Sequence, residues 1–177
     1  MNSQIIINEV WRSISEYLNY QVSNIGRVRN SITGRILKPV TNTNGYYFVC
    51  LCSNGKRTTR NIHRLVGQEF LPPPENDDQT LIDHIDRDRF NNCITNLRFV
   101  TRSQNCMNRT KQSNSTSAYK GVSWHIRDNK WRASIKKDYV NIHLGNYTTE
   151  EEAARAYNRR ALELFGEYAF LNKIPDY

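Results

Sequence analysis

Long hydrophobic runs are absent from this sequence. The amino terminus has an apolar run of only three isoleucines and no cationic leader. No segment approaches the roughly 20 apolar residues that a membrane-spanning helix requires. We therefore expect a soluble intracellular protein with no membrane partner.

Cysteine is scarce, and its spacing excludes two common uses. The four cysteines are Cys50, Cys52, Cys93 and Cys106, and no two of them form a Cys-x-x-Cys pair. A zinc ribbon or a dense disulfide framework is therefore excluded. We expect reduced cysteines that behave as small apolar residues, with the first two on one face of a strand.

Acidic residues are outnumbered by basic ones. The 177 residues include 25 Lys and Arg against 17 Asp and Glu, which gives a formal net charge of +8. Lys and Arg side chains that neutralise phosphates release condensed counterions, so this charge suits a polyanionic partner. Charge alone does not separate a nucleic-acid-binding protein from a basic protein without a specific partner.

The first seventy residues predict short strands followed by one helix. The pairs Asn44-Gly45 and Asn54-Gly55 are hairpin signals, because both central positions of a type I′ turn need positive φ. The pattern HRLVGQEF at residues 63–70 predicts a short helix. The prolines that follow end it, since proline lacks a backbone N–H and restricts the preceding residue.

The last third predicts three antiparallel strands and a helix. Residues 119–147 alternate aromatic, β-branched and basic residues around turns. Thr149 and Glu152 form a capping-box pattern, and Gly166 is a stop signal. The apolar stripe that would pack on the sheet consists of Ala153, Ala156, Tyr157, Ala161, Leu164 and Phe165.

Basic charge in this last third is concentrated in the strands. Residues 119–147 contain six Lys or Arg and two Asp, whereas residues 149–170 contain three Arg and five Glu. If the helix covers one side of the sheet, the other side could lie in a DNA groove; a solvated basic face is the alternative. That free side would expose Lys120, Arg127, Arg132 and Lys136, with Trp124 nearby.

Strand parity sorts the residues of the central strand of this sheet. Trp131, Ala133 and Ile135 share one parity, so Trp131 is a candidate core residue. Arg132 has the opposite parity. Lys136 is expected just past the end of the strand.

Asp83 and His84 are neighbours in LIDHI, a predicted short strand. Adjacent strand residues point to opposite faces, so the two side chains can hold separate roles. In phosphodiester hydrolysis, a carboxylate holds a divalent cation while a neutral imidazole takes a proton from the attacking water. Histidine suits this task because it changes protonation near neutral pH.

Polar amides downstream could complete such a site. Thr101 and Gln104 form a capping-box pattern that places Asn105 one turn inside a short helix. From there Asn105 could share a cation with Asp83. Asn108, one helical turn further on, is the rival ligand.

Two further residues bear on His84. Asn96, in the loop before the next strand, could form a hydrogen bond that fixes which ring nitrogen of His84 is free. His63 is a candidate site residue, with packing in the short helix as the alternative.

The stretches HRLVGQEF, DHID, NNCITNLRFVT and SQN, within residues 62–110, resemble the HNH endonuclease family in its ββα-metal form. This form is found in phage and mobile-intron homing endonucleases. The resemblance implies His84 as general base, Asn96 as the residue that orients it, and Asp83 and Asn105 as ligands of Mg²⁺ or Mn²⁺. An Asp and Asn oxygen pair favours a hard cation, so no zinc is expected.

The pieces EVW, YQVSNIGRVRN and GRILKP resemble the NUMOD-type module that precedes the nuclease domain in such enzymes. The resemblance implies that this region packs with the nuclease core and contributes DNA contacts. The matching cations are Arg27, Arg29, Arg35 and Lys38. Solvated hairpin tips are the alternative for these four side chains.

Residues 118–172 resemble the ethylene-response-factor DNA-binding domain of plant transcription factors, in which arginines and tryptophans on the sheet enter the major groove. The resemblance implies contacts by Lys120, Ser123, His125, Trp131, Arg132 and Lys136. Ser123 and His125 stand where that family has arginine, so its base preference does not transfer. We prefer Arg132 and Arg127 over Trp131 as DNA contacts.

Together these features predict an α+β chain of small modules. The expected boundaries are 1–60 for the β-rich NUMOD-type module, 61–110 for the nuclease domain, 111–118 for a Ser- and Asn-rich linker and 119–177 for the DNA-binding domain. The expected protein is a site-specific homing endonuclease that acts on double-stranded DNA as a monomer. A phage or large DNA virus would be a natural host.

Two other functions compete with cleavage. One is a non-cleaving, sequence-specific DNA-binding regulator with a structural or decayed nuclease domain, and the other is an RNA-binding or other basic interaction protein. A decayed site should have lost at least one of Asp83, His84, Asn96 and Asn105, and all four are present. The sequence therefore favours cleavage.

Overall fold

A computed structural model describes residues 8–109, 116–138 and 140–175. Its backbone contacts divide the chain into two compact units, Met1–Arg102 and Ser103–Tyr177. Most of the predicted linker lies outside the described residues. The α+β class predicted from the sequence is confirmed.

The first unit contains small antiparallel sheets around one helix. Strands β1 (Trp11–Ile14), β2 (Tyr17–Ser23) and β3 (Val28–Asn30) form one sheet, and β4 (Val40–Thr41), β5 (Tyr47–Ser53) and β6 (Lys56–Asn61) form another. Helix α1 (Ile62–Phe70) follows, then the hairpin of β7 (Leu81–His84) and β8 (Leu97–Val100). A short 3-10 turn, Ile94–Asn96, leads into β8.

Local turn chemistry explains two of the hairpins. Asn54 and Gly55 between β5 and β6 have φ values of 51° and 73°, as the type I′ prediction requires. The turn between β4 and β5 differs from the prediction, because only Gly45 has a positive φ there, 76°. Instead, the Asn42 side chain accepts hydrogen bonds from the backbone N–H groups of Asn44 and Tyr46.

One hydrophobic core joins the β-rich segment to the helix and strand of the nuclease-like segment. Its buried members are Ile14, Tyr17, Val22, Val28, Val49, Leu51, Ile62, Leu65, Val66 and Leu97. Helix α1 also approaches β7 closely, since a Cβ added to Gly67 would overlap the Ile82 side chain. The strand that carries Asp83 and His84 is therefore packed against a helix that belongs to the same core.

The second unit begins within helix α2 (Arg102–Met107) and continues with a three-stranded antiparallel sheet. Strands β9 (Val122–His125), β10 (Lys130–Lys137) and β11 (Val140–Tyr147) lie in the order β11-β10-β9. Helix α3 (Glu150–Phe165) follows, and its predicted capping box and its end at Gly166 are both confirmed.

Helix α3 packs on one face of this sheet. It buries Ala153, Ala154, Tyr157, Ala161 and Phe165 near the sheet residues Val122, Ala133 and Ile135. The predicted stripe is largely confirmed, although Ala156 and Leu164 are only half-buried and Ala154 was missed. The other face of the sheet is left open by the helix.

The cysteines are free, as expected, but three of them do not pack as apolar residues. Cys50 and Cys52 share the exposed face of β5, and Cys106 is exposed on α2, whereas Cys93 is half-buried. Among the described residues, we find no helix with the length and apolar character needed to cross a membrane.

Candidate active site

The β7–β8 hairpin places Asp83 and His84 on opposite sides of one strand. His84 pairs with Leu97 across the ladder and is 3% exposed, so its ring faces the interior. Asp83 pairs with Arg98, and its Oδ2 lies 3.4 Å from the Arg98 Nη2. The His84 imidazole is therefore buried, whereas the Asp83 carboxylate lies beside the Arg98 guanidinium.

The side-chain amide of Asn92 fixes the chemistry of the His84 ring. The Asn92 Nδ2 donates to the carbonyl oxygen of Phe90 at 3.1 Å, which turns its Oδ1 toward His84. That Oδ1 lies 3.1 Å from the His84 Nε2. Because an amide oxygen only accepts, the neutral ring carries its hydrogen on Nε2, and Nδ1 is the basic nitrogen.

Two aromatic rings surround His84. The His63 ring lies edge-on to it at 5.0 Å between centroids, and the Tyr46 ring lies 4.9 Å from His63 and 5.9 Å from His84. The Arg89 guanidinium covers the Tyr46 ring at 4.8 Å, and its Nη1 donates to the Asn44 carbonyl oxygen at 2.6 Å. These contacts enclose the imidazole from the side of the β4–β5 turn.

His63 is held as a neutral imidazole. It is 5% exposed, and its Nδ1 has no hydrogen-bond partner among the described residues. Burial, with smaller contributions from His84 and Arg64, lowers the pKa of His63 to about 3. His63 therefore packs at the start of helix α1, and its ring also lies beside the ring of His84.

Asn96 closes the loop that links the two strands of the hairpin. Its Nδ2 donates to the Asp86 Oδ1 and to the Asn91 carbonyl oxygen, each at 2.8 Å, and its Oδ1 accepts from the Asp86 N–H at 3.0 Å. Its backbone carbonyl also accepts from the Ile85 N–H at 2.9 Å. These hydrogen bonds of Asn96 hold the loop closed, and we call them the Asn96 clasp.

The Asp86 carboxylate is the other half of that clasp. Burial alone would raise its pKa, but hydrogen bonds from the Asn91 and Asn96 side chains and from the Asp88 backbone, with a smaller electrostatic contribution from the neighbouring His84, outweigh burial and lower it. A charged acceptor strengthens each of these bonds and so rigidifies the loop.

The sequence predicts a hydrogen bond between Asn96 and His84, but the asparagine that contacts the His84 ring is Asn92. The amide of Asn96 is occupied by Asp86 and Asn91, and the amide that contacts the ring belongs to Asn92. Asn96 instead closes the loop that carries Asn92. The adjacent asparagines at 91 and 92 were the only signal for this contact in the sequence.

The two predicted cation ligands fall in different compact units. Asp83 is on β7 in the first unit, and Asn105 lies inside α2, as predicted, in the second. Asn108 follows the end of α2 and is 5% exposed. Within the described residues, no cluster of three or more His, Cys, Asp or Glu could hold a metal.

The open face of the second unit's sheet is polar and basic. The register pairs Arg132 with Ser123 on one side and with Asn146 on the other, and pairs Lys136 with Asn141. By alternation, this open face carries Ser123, His125, Lys130, Arg132, Ser134, Lys136, Asn141, His143 and Asn146. Lys136 lies within β10, which corrects the expectation that it follows the strand end.

Asp128, in the turn between β9 and β10, ties several of these side chains together. Its Oδ2 accepts from the Asn146 Nδ2 at 2.8 Å and lies 3.1 Å from the His125 Nδ1. The Arg132 Nη2 is 4.0 Å from the same oxygen. The open face is therefore preorganised, with Arg127 exposed in the adjoining turn.

Lys120 is not on this open face, contrary to the prediction. Its Nζ donates to the carbonyl oxygens of Met107 at 2.8 Å and Arg109 at 2.7 Å, at the end of α2. Trp124 and Trp131 pack edge-to-face at 5.1 Å, and Trp131 lies against the buried cluster, as its parity predicted.

Two of the amino-terminal cations are tied to neighbouring side chains. Arg27 forms an ion pair with Glu9, and Arg29 donates to the Gln21 Oε1 at 2.8 Å while covering the Trp11 ring at 4.2 Å. Arg35 and Lys38 are exposed. A role of the first two in DNA binding would have to accommodate these contacts.

Two family models match consecutive parts of this chain. A family model described as the NUMOD4 motif matches residues 9–52, and one described as HNH endonuclease matches residues 60–107. An uncharacterized HNH endonuclease of Acanthamoeba polyphaga mimivirus is 44% identical over 93 residues, which is 52% of this chain and 47% of the relative.

Two further relatives match different parts of the chain. DNA endonuclease I-HmuI of Bacillus phage SP01 is 38% identical over 99 residues, and its solved structure, titled DNA binding and cleavage by the HNH homing endonuclease I-HmuI, matches with a TM-score of 0.50 over 56% of each chain. The Ethylene-responsive transcription factor WRI1 of Arabidopsis thaliana is 40% identical over 62 residues, 34% of this chain and 14% of the relative.

The matches fit the two halves of the chain separately. The similarity to the plant factor concerns the carboxy-terminal part. The chain spans about half of the length of the mimivirus and phage relatives, 47% and 56%. With the NUMOD4 motif at residues 9–52 ahead of it, the region of residues 60–107 belongs to the HNH endonuclease family.

Proposed function

We propose that this chain is a site-specific DNA endonuclease of the homing type, in which His84 is the general base of phosphodiester hydrolysis. The observation that carries the proposal is the amide of Asn92, which holds the His84 Nε2 at 3.1 Å and is itself oriented by Phe90. A general base acts from one tautomer, and the Asn92 amide oxygen favours the tautomer with its hydrogen on Nε2.

In the proposed reaction, the His84 Nδ1 takes a proton from the water that attacks the scissile phosphorus. As that water forms its new P–O bond, the bond to the leaving oxygen breaks. The His63 ring, which burial keeps neutral, lies 5.0 Å from the His84 ring between centroids and adds no positive charge beside it.

The Asp83 carboxylate suits a hard divalent cation, Mg²⁺ or Mn²⁺, better than zinc. Asn105 stays a ligand expected from the sequence resemblance. Bound there, the cation would polarise the scissile phosphate and stabilise the leaving oxygen. Arg98, 3.4 Å from Asp83, holds that carboxylate in place on the strand.

Recognition of double-stranded DNA is assigned to the open face of the second unit's sheet. Arg132 and Lys136 share that face with Ser123 and His125, and Arg127 stands beside it. A covalent tether between a reading unit and a cutting unit raises the local concentration of the cutting unit at the site. We expect a monomer that nicks one strand, since the described residues contain one such histidine site.

Cleavage is tested with purified protein and supercoiled plasmid in Mg²⁺, Mn²⁺ and EDTA. We expect cation-dependent nicking that is abolished in His84→Ala, while the variant still binds a selected target DNA. A thermal unfolding scan of both proteins checks that the buried site remains folded. Target binding by the wild-type protein without nicking in any cation would favour the non-cleaving regulator.

A further inference from the structure

The turn between β2 and β3 lies directly against the loop that carries Asn92. The Ile94 N–H donates to the Asn24 carbonyl oxygen at 2.8 Å, which joins the two segments by a backbone hydrogen bond. Gly26 is the point of closest approach. A Cβ built on Gly26 would lie 2.8 Å from the Asn92 Cβ and 3.3 Å from the Asn92 carbonyl oxygen.

The turn is a rigid support. Asn24 is 8% exposed, and its side chain accepts from the Val10 N–H at 2.9 Å and donates to the Asn8 carbonyl oxygen at 3.0 Å. Ser23 is fully buried, and its Oγ accepts from the Arg27 N–H at 3.0 Å. These bonds leave the turn little freedom to retreat from a larger side chain at Gly26.

The loop that faces the turn has equally little freedom. Asn92 is 5% exposed, its amide is divided between Phe90 and His84, and the clasp at Asn96 closes the loop on the other side. A side chain at Gly26 would therefore push on the residue that orients His84. Tight packing transmits such a shift instead of absorbing it.

We propose that Gly26 is a positioning residue of the active site, and that the β2–β3 turn sets the orientation of His84 through Asn92. This inference rests on the proposed function, in which His84 is the general base. It assigns a role in chemistry to part of the NUMOD4 segment, through packing and not through contact with DNA.

The test compares Gly26→Ala with a matched glycine. Gly55 has a φ of 73°, against 86° for Gly26, and a Cβ there would meet nothing within 4 Å. Gly55→Ala thus carries a similar backbone strain without the crowding. On saturating target DNA, we expect Gly26→Ala to cleave at least about tenfold more slowly than Gly55→Ala, with similar KM, because small displacements of reacting groups cost up to about 10²-fold.

A double-mutant cycle shows whether Gly26 acts through Asn92. In an Asn92→Ala background, where the amide is already gone, Gly26→Ala should slow cleavage by less than about twofold. A full additional loss in that background would overturn the proposed route. Equal rates for Gly26→Ala and Gly55→Ala in the otherwise wild-type protein would overturn the inference itself.

A readout without activity separates this inference from the proposed function. Ring chemical shifts of His84 and side-chain amide shifts of Asn92, recorded by NMR, should move in Gly26→Ala and stay unchanged in Gly55→Ala. If the wild-type protein does not cleave but the shifts move as expected, the proposed function fails and the structural coupling stands. Unmoved shifts would refute the coupling whatever the activity.

Discussion

At the scale of single residues, the orientation of one side-chain amide decides which nitrogen of His84 is basic. Asn92 has two ends that differ only in donor and acceptor character, and the Phe90 carbonyl oxygen selects between them. An asparagine rotated by 180° would present its N–H₂ group to the ring and favour the other tautomer. The chemistry of the imidazole thus depends on a backbone carbonyl that does not touch it.

The neighbouring His63 provides a prediction about pH and stability. Its pKa is lowered from 6.5 to about 3, so between these values the unfolded chain binds a proton that the folded protein does not. The free energy of unfolding should therefore fall as the pH drops below about 6.5, with a slope of up to about 1.4 kcal/mol per pH unit from this group. Urea unfolding at pH 7, 6 and 5 measures it.

The control for this prediction is a histidine on the surface. His63→Gln should flatten the dependence on pH between 6.5 and 5, whereas His143→Gln, at an exposed position, should leave it unchanged. An unaltered slope in His63→Gln would mean that other groups cause the acid sensitivity.

At the scale of elements, the loop between β7 and β8 behaves as a closed unit held by the Asn96 clasp. Asn96 donates two of these hydrogen bonds and accepts two, and together they connect both ends of the loop with its middle. The loop can then present Asn92 to His84 without regular secondary structure. Its rigidity comes from side chains, which strand and helix patterns do not encode.

The clasp predicts the behaviour of Asn96→Ala. Loss of the amide would leave the Asp86 carboxylate and N–H without these partners, so we expect a loss of about 1–3 kcal/mol in the free energy of unfolding. Cleavage of saturating DNA should fall as well, because Asn92 would no longer be held. Chemical denaturation and single-turnover cleavage measure the two effects.

Asn30→Ala is the matched control for the clasp. Asn30 also closes a loop, since its Oδ1 accepts from the N–H groups of Ile32 and Thr33. This variant should lose stability but keep its cleavage rate on saturating DNA. Equal losses of cleavage in both variants would indicate a general effect of reduced stability.

The elements predictable from the sequence were those determined by local chemistry. The Asn54-Gly55 turn, helix α1 and the capping box at Thr149 depend on a few adjacent residues, and each was predicted correctly. The partner of His84 was not predictable, because it follows from a loop closed by Asn96 ten residues after Asp86.

The open sheet face was predicted in part for a related reason. Parity along β10 identified Arg132, but the contribution of β11 depends on a shift of register between Ala133 and Ser134. His143 and Asn146 therefore could not be placed from the sequence. The sequence also places Lys120 on this face, and that prediction is wrong. Its Nζ instead donates to carbonyl oxygens at the end of α2, a contact that strand alternation does not reveal.

At the scale of the whole molecule, the proposed cleavage and the proposed DNA recognition belong to different compact units, with His84 in the first and the basic sheet in the second. Arg132→Ala should weaken binding of target DNA by about tenfold or more and leave the rate on saturating DNA unchanged. Fluorescence anisotropy at several salt concentrations and single-turnover cleavage measure the two quantities.

An arginine on the opposite face of the second unit provides the control. Arg155 is exposed on α3, so Arg155→Ala removes the same charge away from the open face. Its effect on affinity should be at most about twofold. Equal losses in both variants would assign binding to net charge instead of the sheet face.

The single core shared by the β-rich segment and the nuclease-like segment has a practical consequence for building chimaeras. A breakpoint at residue 60 would cut between Leu51 and Ile62, which are buried in the same cluster, and would expose apolar surface on both fragments. Recombined proteins should instead inherit residues 8–109 as one block, so that the predicted ligand Asn105 is retained with the core. If the proposed function holds, a different carboxy-terminal domain grafted after this block would change which DNA is bound without cutting through the core.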